Sequence, residues 1–186
     1  MWLRSLVFLL LAYGVAGAAA LIFTRFDGGV AFLWIATAIL IAALMRTATR
    51  RWPLTLAPCG TISALNTGLL GLGWAAAVPF AVVNLLEATV AVLLLRRWAQ
   101  SSETLRSLSW FARYVVALAL VAPLLATGMA GLALAALGRF TGESMLHYVS
   151  GYALGNLSIT PIAMMLTDSR LAGRLGRCCG TGEPTR

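Results

Sequence analysis

Six long apolar segments make up most of this 186-residue chain. A helix needs about 20 apolar residues to cross the hydrocarbon core of a bilayer, and each segment reaches or approaches that length. The segments cover residues 5–23, 28–45, 54–72, 75–95, 110–137 and 145–166. They predict an all-α fold, a polytopic integral membrane bundle of six transmembrane helices.

The composition is typical of a membrane protein. Hydrophobic residues make up 60% of the chain and charged residues only 11%, whereas about 25% of the residues in a soluble domain are charged. We therefore predict a single transmembrane helical domain over residues 1–167. Residues 168–186 are expected to form a short, disordered, Arg-rich cytoplasmic tail.

The arginines predict an orientation in the membrane. Twelve of the fourteen arginines lie on one side of the predicted bundle: at the amino end, around the connections that follow the second and fourth segments, and in the tail. Only Arg25 and Arg139 lie on the opposite side. Cytoplasmic loops are enriched in Lys and Arg, so both termini are predicted to be cytoplasmic. This placement of the arginines accounts for the net charge of +8, so the charge does not indicate a nucleic-acid-binding surface. The first segment also resembles a signal peptide, but its apolar run continues to Phe23, which favours a retained span.

Proline and glycine residues predict two irregular helices. Pro58 and Gly60 lie near the start of the third segment and indicate an irregular first turn. The fifth segment is unusually long, and Pro123 within it indicates a tilt, a kink or a partial break.

Four polar side chains inside the apolar segments are candidates for a binding site. Asn84 and Glu87 lie one helical turn apart in the fourth segment, Asn156 lies near the centre of the last, and Asn66 lies in the outer half of the third. Each needs a partner that lipid does not provide, so we expect the four to converge inside the bundle. In a functional interpretation, Glu87 is the anionic anchor for a small ligand or cation. In a structural interpretation, Glu87 is protonated and belongs to a hydrogen-bond network.

Aromatic residues near the predicted outer face also have two interpretations. Trp34 and Tyr148 lie at depths where Trp and Tyr usually anchor helices to the membrane interface. Trp34 is nevertheless included among the candidate ligand-binding residues.

The sequence has no nucleophile–base pair, phosphate loop or metal-ligand spacing, and the lone His147 cannot complete a metal site. We therefore predict no enzymatic activity, no metal and no cofactor.

Several short motifs occur in a recognisable order. These are Trp34, Arg51-Trp52-Pro53, Asn84-Leu-Leu-Glu87-Ala88, Leu93-Leu-Leu-Arg96-Arg97, Gly151-x-x-Leu154-Gly155 and Pro161. Over roughly residues 20 to 167, the chain resembles the first-described family of bacterial MASE-type membrane-associated sensor domains. It departs from the family pattern at Ile35, which replaces a Pro, at Ala38, which replaces a Gly, and at Tyr152, which replaces an Asp.

The resemblance implies a sensory domain in a bacterial inner membrane. Such domains usually precede a histidine kinase, diguanylate cyclase or phosphodiesterase module, and the tail over residues 168–186 is too short to be one. We therefore expect the protein to sense a small molecule and to act through a separate cytoplasmic partner or as a homodimer. Two alternatives stay open: a substrate-binding subunit of a vitamin-type transporter, and a structural membrane protein without a ligand.

Overall fold

The computed structural model describes residues 2–24, 34–99 and 108–166, and these residues are almost entirely helical. A π-helical turn at Val116–Val121 joins α5 to α6 without interruption, and a 3-10 turn at Thr49–Arg51 precedes α3. The helices are α1 (Trp2–Phe23), α2 (Ile35–Arg46), α3 (Trp52–Leu70), α4 (Trp74–Ala99), α5 (Leu108–Val115), α6 (Ala122–Ala136) and α7 (Gly142–Leu166). The described ranges thus form six continuous helical segments and contain no strand, which confirms the all-α prediction.

Three of these segments are long and apolar enough to cross a membrane by length and composition. They are Leu3–Phe23, Trp74–Trp98 and Ser109–Ala136, and Ile35–Arg46 is a shorter apolar helix. The predicted second span begins at residue 28, and residues 25–33 lie outside the described part of the chain. The same holds for residues 100–107 and for the predicted tail over residues 168–186.

Helix α2 lies in the interior of the bundle. It packs against α1, α4 and α7, and most of its side chains are buried. The small residues Ala36 and Ala38 are fully buried and allow close approach of the neighbouring helices. Around α2, α3 packs between α1 and α4, while α6 packs against α4 and α7. This arrangement brings one face of each of α2, α4 and α7 to the centre of the molecule.

Helix α1 presents a broad apolar surface to the outside. Phe8, Leu11 and Val15 are all more than half exposed, while Tyr13 on the opposite face is completely buried. Soluble monomers rarely expose contiguous apolar patches of this kind. The outer face of α1 therefore suits contact with lipid.

The two predicted irregularities have different outcomes. Helix α3 continues from Trp52 to Leu70 with Pro58 inside it, so the predicted irregular first turn is wrong. Packing against α1 and α4 supports this helix, and such packing lets membrane helices tolerate proline. In the fifth predicted span, the helix widens into the π turn just before Pro123, which confirms a local irregularity there.

Candidate functional site

Asn84 and Glu87 lie near the middle of α4, and both side chains are buried. Their exposed fractions are 1% and 2%, respectively. Residues three apart in a helix share a face. This face of α4 contacts α3 through Ser63, α7 through Asn156 and α2 through Thr37. Because unpaired polar groups are costly in an apolar interior, the partners of these two side chains define the site.

Asn84 joins α3 and α7 through both atoms of its side-chain amide. Its Nδ2 donates to Ser63 Oγ on α3 at 2.8 Å, and its Oδ1 accepts a hydrogen bond from the Tyr152 hydroxyl on α7. The Tyr152 hydroxyl also lies 2.9 Å from that of Tyr148, one turn earlier on α7. A buried polar network therefore crosses three helices at Asn84.

Aromatic rings cover the side of this network that faces the amino end of α2. Trp34 stacks on Tyr152 with ring centroids 6.2 Å apart, and Tyr148 also stacks on Tyr152, at 4.5 Å. Phe80 meets Tyr148 edge-on at 6.0 Å. Trp34 and Tyr148 are 5% and 1% exposed, so their interpretation as membrane-interface anchors is wrong. The structure instead places Trp34 against the network around Asn84.

Glu87 pairs with Asn156 on α7. Asn156 Nδ2 donates to Glu87 Oε1 at 2.8 Å and lies 3.5 Å from the carbonyl oxygen of Leu118 in the π turn. In this turn, the Ala122 N–H bonds to Ala117 O, five residues earlier. In the same register, Leu118 O would face the nitrogen of Pro123, which carries no hydrogen. Without that backbone donor, the Leu118 carbonyl oxygen can accept the hydrogen bond from Asn156 Nδ2.

Several buried oxygens around Glu87 have no hydrogen bond of ordinary geometry. They include Glu87 Oε2, Asn156 Oδ1 and Thr37 Oγ1, and Thr37 lies beside the Glu87 carboxyl on α2. A buried polar atom without a partner costs about 1–3 kcal/mol. Oxygen acceptors are therefore concentrated where α2, α4 and α7 meet.

The structure brings together three of the four predicted polar residues and separates the fourth. Asn84, Glu87 and Asn156 belong to the networks above, whereas Asn66 on α3 donates to the carbonyl oxygen of Gly14 on α1 at 3.1 Å. A Cβ atom at Gly17 would lie only 2.7 Å from Asn66 Nδ2. The Asn66 side chain therefore joins α3 to α1 and is not part of the hydrogen bonds around Glu87.

The comparison with protein families decides which group the chain belongs to. The MASE1 family model matches residues 5–172, which is most of the chain. The chain belongs to the MASE1 family. MASE1 is a membrane-associated sensory domain of signalling proteins.

A curated relative gives the same context for this MASE1 domain. The chain is 28% identical over 148 residues to a protein of Escherichia coli (strain K12) named "Probable diguanylate cyclase DgcE". The match covers 76% of this chain but only 13% of that relative's length. No solved structure matches the chain.

The MASE1 domain has a second polar cluster around Arg96, at the carboxyl end of α4. Its guanidinium donates to the carbonyl oxygens of Leu44, Met45 and Thr47 at 2.7, 3.2 and 2.6 Å, and to Thr49 Oγ1 at 3.0 Å. It also lies 5.0 Å from the centre of the Trp52 ring. A cation at a helix carboxyl end interacts favourably with the helix dipole. Arg96 therefore connects the end of α4 to the end of α2 and the beginning of α3.

Sequence reasoning missed several residues of these polar networks. Ser63, Thr37 and Tyr152 were not predicted to belong to it, although Tyr152 was identified as the residue at the family's Asp position. A spacing signal was present on α7, where buried side chains recur every four residues at Tyr148, Tyr152 and Asn156. Such spacing predicts a shared helix face.

Proposed function

We propose that this MASE1 domain is a six-span sensory domain of a bacterial inner membrane that binds a small ligand at Glu87. The observation that carries the proposal is the pair of Glu87 and Asn156, held at 2.8 Å in the interior of a bundle with an apolar outer surface. An ionisable residue at membrane depth is by default a functional candidate. Asn84 and Trp34 would shape the adjoining part of the site, while Asn66 would act in packing α3 against α1.

The position of Arg96 supports a cytoplasmic location for both termini. Its contacts with Leu44, Thr47 and Thr49 bring the end of α4 next to the connection between α2 and α3. The arginines flanking these helix ends therefore gather at one end of the bundle. Such a gathering supports a cytoplasmic assignment for that end under the positive-inside rule.

Helix α4 offers a physical connection from the site to this cytoplasmic end. Glu87 and Arg96 are nine residues apart on one continuous helix, or about 13 Å at the usual rise per residue. A ligand that changes the packing of α4 against α2 and α7 would also change the position of Arg96. We propose that this displacement reaches a cytoplasmic output module; the E. coli relative as a whole is named a probable diguanylate cyclase. The family match favours this role over the alternative of a transporter subunit.

A chimera tests the sensory role. Residues 5–172, which match the MASE1 model, would replace the 148-residue segment of the E. coli relative that the chain matches, and diguanylate cyclase activity would be measured in isolated membranes at equal protein amounts. We expect Glu87→Gln to change the activity several-fold, because it removes the charge that anchors the ligand while keeping the shape of the side chain. The sensory assignment of Glu87 fails if the folded Glu87→Gln chimera has unchanged activity.

The control for this experiment is Glu143→Gln. Glu143 lies in the first turn of α7 and its side chain is exposed. The chemical change is identical, but it occurs away from the core. We expect the Glu143→Gln chimera to keep the activity of the unmodified chimera.

A further inference from the structure

The charge of Glu87 has no cationic partner within the described part of the chain. The carboxyl contacts Asn156 and Thr37, both neutral. The titratable groups within electrostatic range are the phenols of Tyr13, Tyr148 and Tyr152, which bring no positive charge. An isolated buried carboxylate is very costly, so the negative charge must be balanced by a proton or by a bound cation.

The atoms around Glu87 are the oxygen ligands that hard metal cations prefer. The carboxylate Oε2, the Asn156 side-chain oxygen and the Thr37 hydroxyl are all buried without a hydrogen bond of ordinary geometry, and the Thr37 hydroxyl lies beside the Glu87 carboxyl. The carbonyl oxygen of Leu118, in the π turn just before Pro123, accepts a long hydrogen bond from Asn156 Nδ2 at 3.5 Å. Membrane transporters likewise use backbone carbonyls of interrupted helices to coordinate Na⁺ near the bilayer midplane.

The charge balance selects a monovalent ion. One carboxylate cancels one positive charge, whereas a divalent ion would leave a net charge buried among neutral groups. Soft or nitrogen-preferring metals are disfavoured because neither a thiol nor an imidazole contributes to this cluster in the described residues.

We propose that Glu87, with the side-chain oxygens of Asn156 and Thr37, binds a monovalent alkali cation between α2, α4 and α7. This inference rests on the proposed function, because it names the class of ligand that the sensory site binds. The cation draws together oxygens from three helices. It therefore stabilises one packing of α4 against α2 and α7, and its binding is the event that α4 transmits toward Arg96.

The test is the unfolding temperature of the full chain in lipid nanodiscs, followed by tryptophan fluorescence. NaCl, KCl and LiCl would be titrated against choline chloride at constant ionic strength and constant pH. A ligand that binds only the folded state raises stability with the logarithm of its concentration above Kd. We expect at least one alkali chloride to raise the unfolding temperature in this way, whereas choline chloride does not.

Substitutions link this response to the site. Glu87→Gln should abolish the cation-dependent rise, and Glu143→Gln should preserve it. Thr37→Val keeps the side-chain shape but removes one oxygen, so it should shift the half-saturating concentration upward by roughly tenfold, as for a change of about 1.4 kcal/mol. This second variant keeps the proposal testable if Glu87→Gln does not fold.

Two results would overturn the proposal. One is an unfolding temperature that is the same in all alkali chlorides and in choline chloride but changes with pH, which indicates that a proton alone neutralises Glu87. The other is a cation-dependent rise that Glu87→Gln leaves intact. Either result leaves the sensory role standing if the chimera still depends on Glu87, so failure of the ion and failure of the sensory function are distinguishable.

Discussion

The Tyr152 hydroxyl is the donor that satisfies Asn84 Oδ1, and the Tyr152 ring stacks with both Trp34 and Tyr148. The family pattern has a carboxylic acid at this position, and the tyrosine fills it with a larger side chain that still carries a polar hydrogen. Asn84 therefore keeps a hydrogen-bond partner on α7 despite the departure from the pattern. The surroundings of Asn84 and Glu87 therefore differ: both atoms of the Asn84 amide have hydrogen-bond partners, whereas some of the oxygens around Glu87 do not.

Removing the Tyr152 hydroxyl should destabilise the protein. Tyr152→Phe keeps the ring stack but leaves Asn84 Oδ1 buried without a donor, at a cost of about 1–3 kcal/mol. The measurement is thermal unfolding in nanodiscs. Tyr114→Phe is the comparison, because the Tyr114 hydroxyl is buried beside Thr160 without a hydrogen bond of ordinary geometry, so its loss should cost less than the loss of the Tyr152 hydroxyl. Equal destabilisation by both substitutions would contradict the role of the Tyr152–Asn84 bond.

Helices α2 and α7 approach each other closely because Gly155 has no side chain. A Cβ atom at this position would lie 2.6 Å from the Trp34 carbonyl oxygen and 3.2 Å from its carbonyl carbon. Both of these are backbone atoms and cannot rotate away. The glycine therefore sets the distance between α7 and the beginning of α2, and with it the stack of Trp34 on Tyr152.

Gly155→Ala should force these two helices apart. Overpacking of this kind costs about 1–3 kcal/mol, and the lowered stability should be accompanied by a change in Trp34 fluorescence, read by comparison with a Trp34→Phe background. Gly128→Ala provides the control, since a Cβ at Gly128 in α6 meets no atom within 4 Å. Alanine is the better helix former, so this control should be neutral or slightly stabilising. If Gly155→Ala behaves like Gly128→Ala, the close approach does not exist in the membrane.

At the carboxyl end of α2, contact with a neighbouring helix is made by Arg96 of α4. Three carbonyl oxygens, one hydroxyl and one ring converge on a single guanidinium. A planar fork with five donors can meet this arrangement, whereas an ammonium group cannot contact all of it. Arg96→Lys should therefore lower the stability by roughly 1–3 kcal/mol although the charge is kept.

The neighbouring residue supplies the control for this substitution. Arg97 is exposed, and Arg97→Lys makes the same chemical change one residue away. Its unfolding temperature should match that of the unmodified protein. An Arg96→Lys protein that is as stable as Arg97→Lys would show that charge alone matters at position 96.

At the scale of the whole molecule, the sequence predicts the helices better than it predicts their contacts. The apolar runs 75–95 and 110–137 correspond to α4 and to the segment from α5 to α6, because a long apolar run has few stable backbone conformations in lipid. The partners of polar residues depend on the rotation of each helix about its axis. Ser63 and Asn66 lie three residues apart on α3, yet Ser63 bonds to Asn84 on α4 and Asn66 bonds to α1. Depth in the membrane does not distinguish these two outcomes.

The orientation of the bundle provides the last prediction. If the end of the bundle that carries Arg96 faces the cytoplasm, a carboxy-terminal fusion to green fluorescent protein should fluoresce, and a carboxy-terminal alkaline phosphatase should be inactive, because the phosphatase folds only outside the cytoplasm. Alkaline phosphatase inserted after Arg139, between α6 and α7, should instead be active, because the proposed six spans would place this connection on the outer side. An active phosphatase at the carboxyl terminus would reverse the orientation. Arg96 would then lie on the outer side, where its displacement could not reach a cytoplasmic partner.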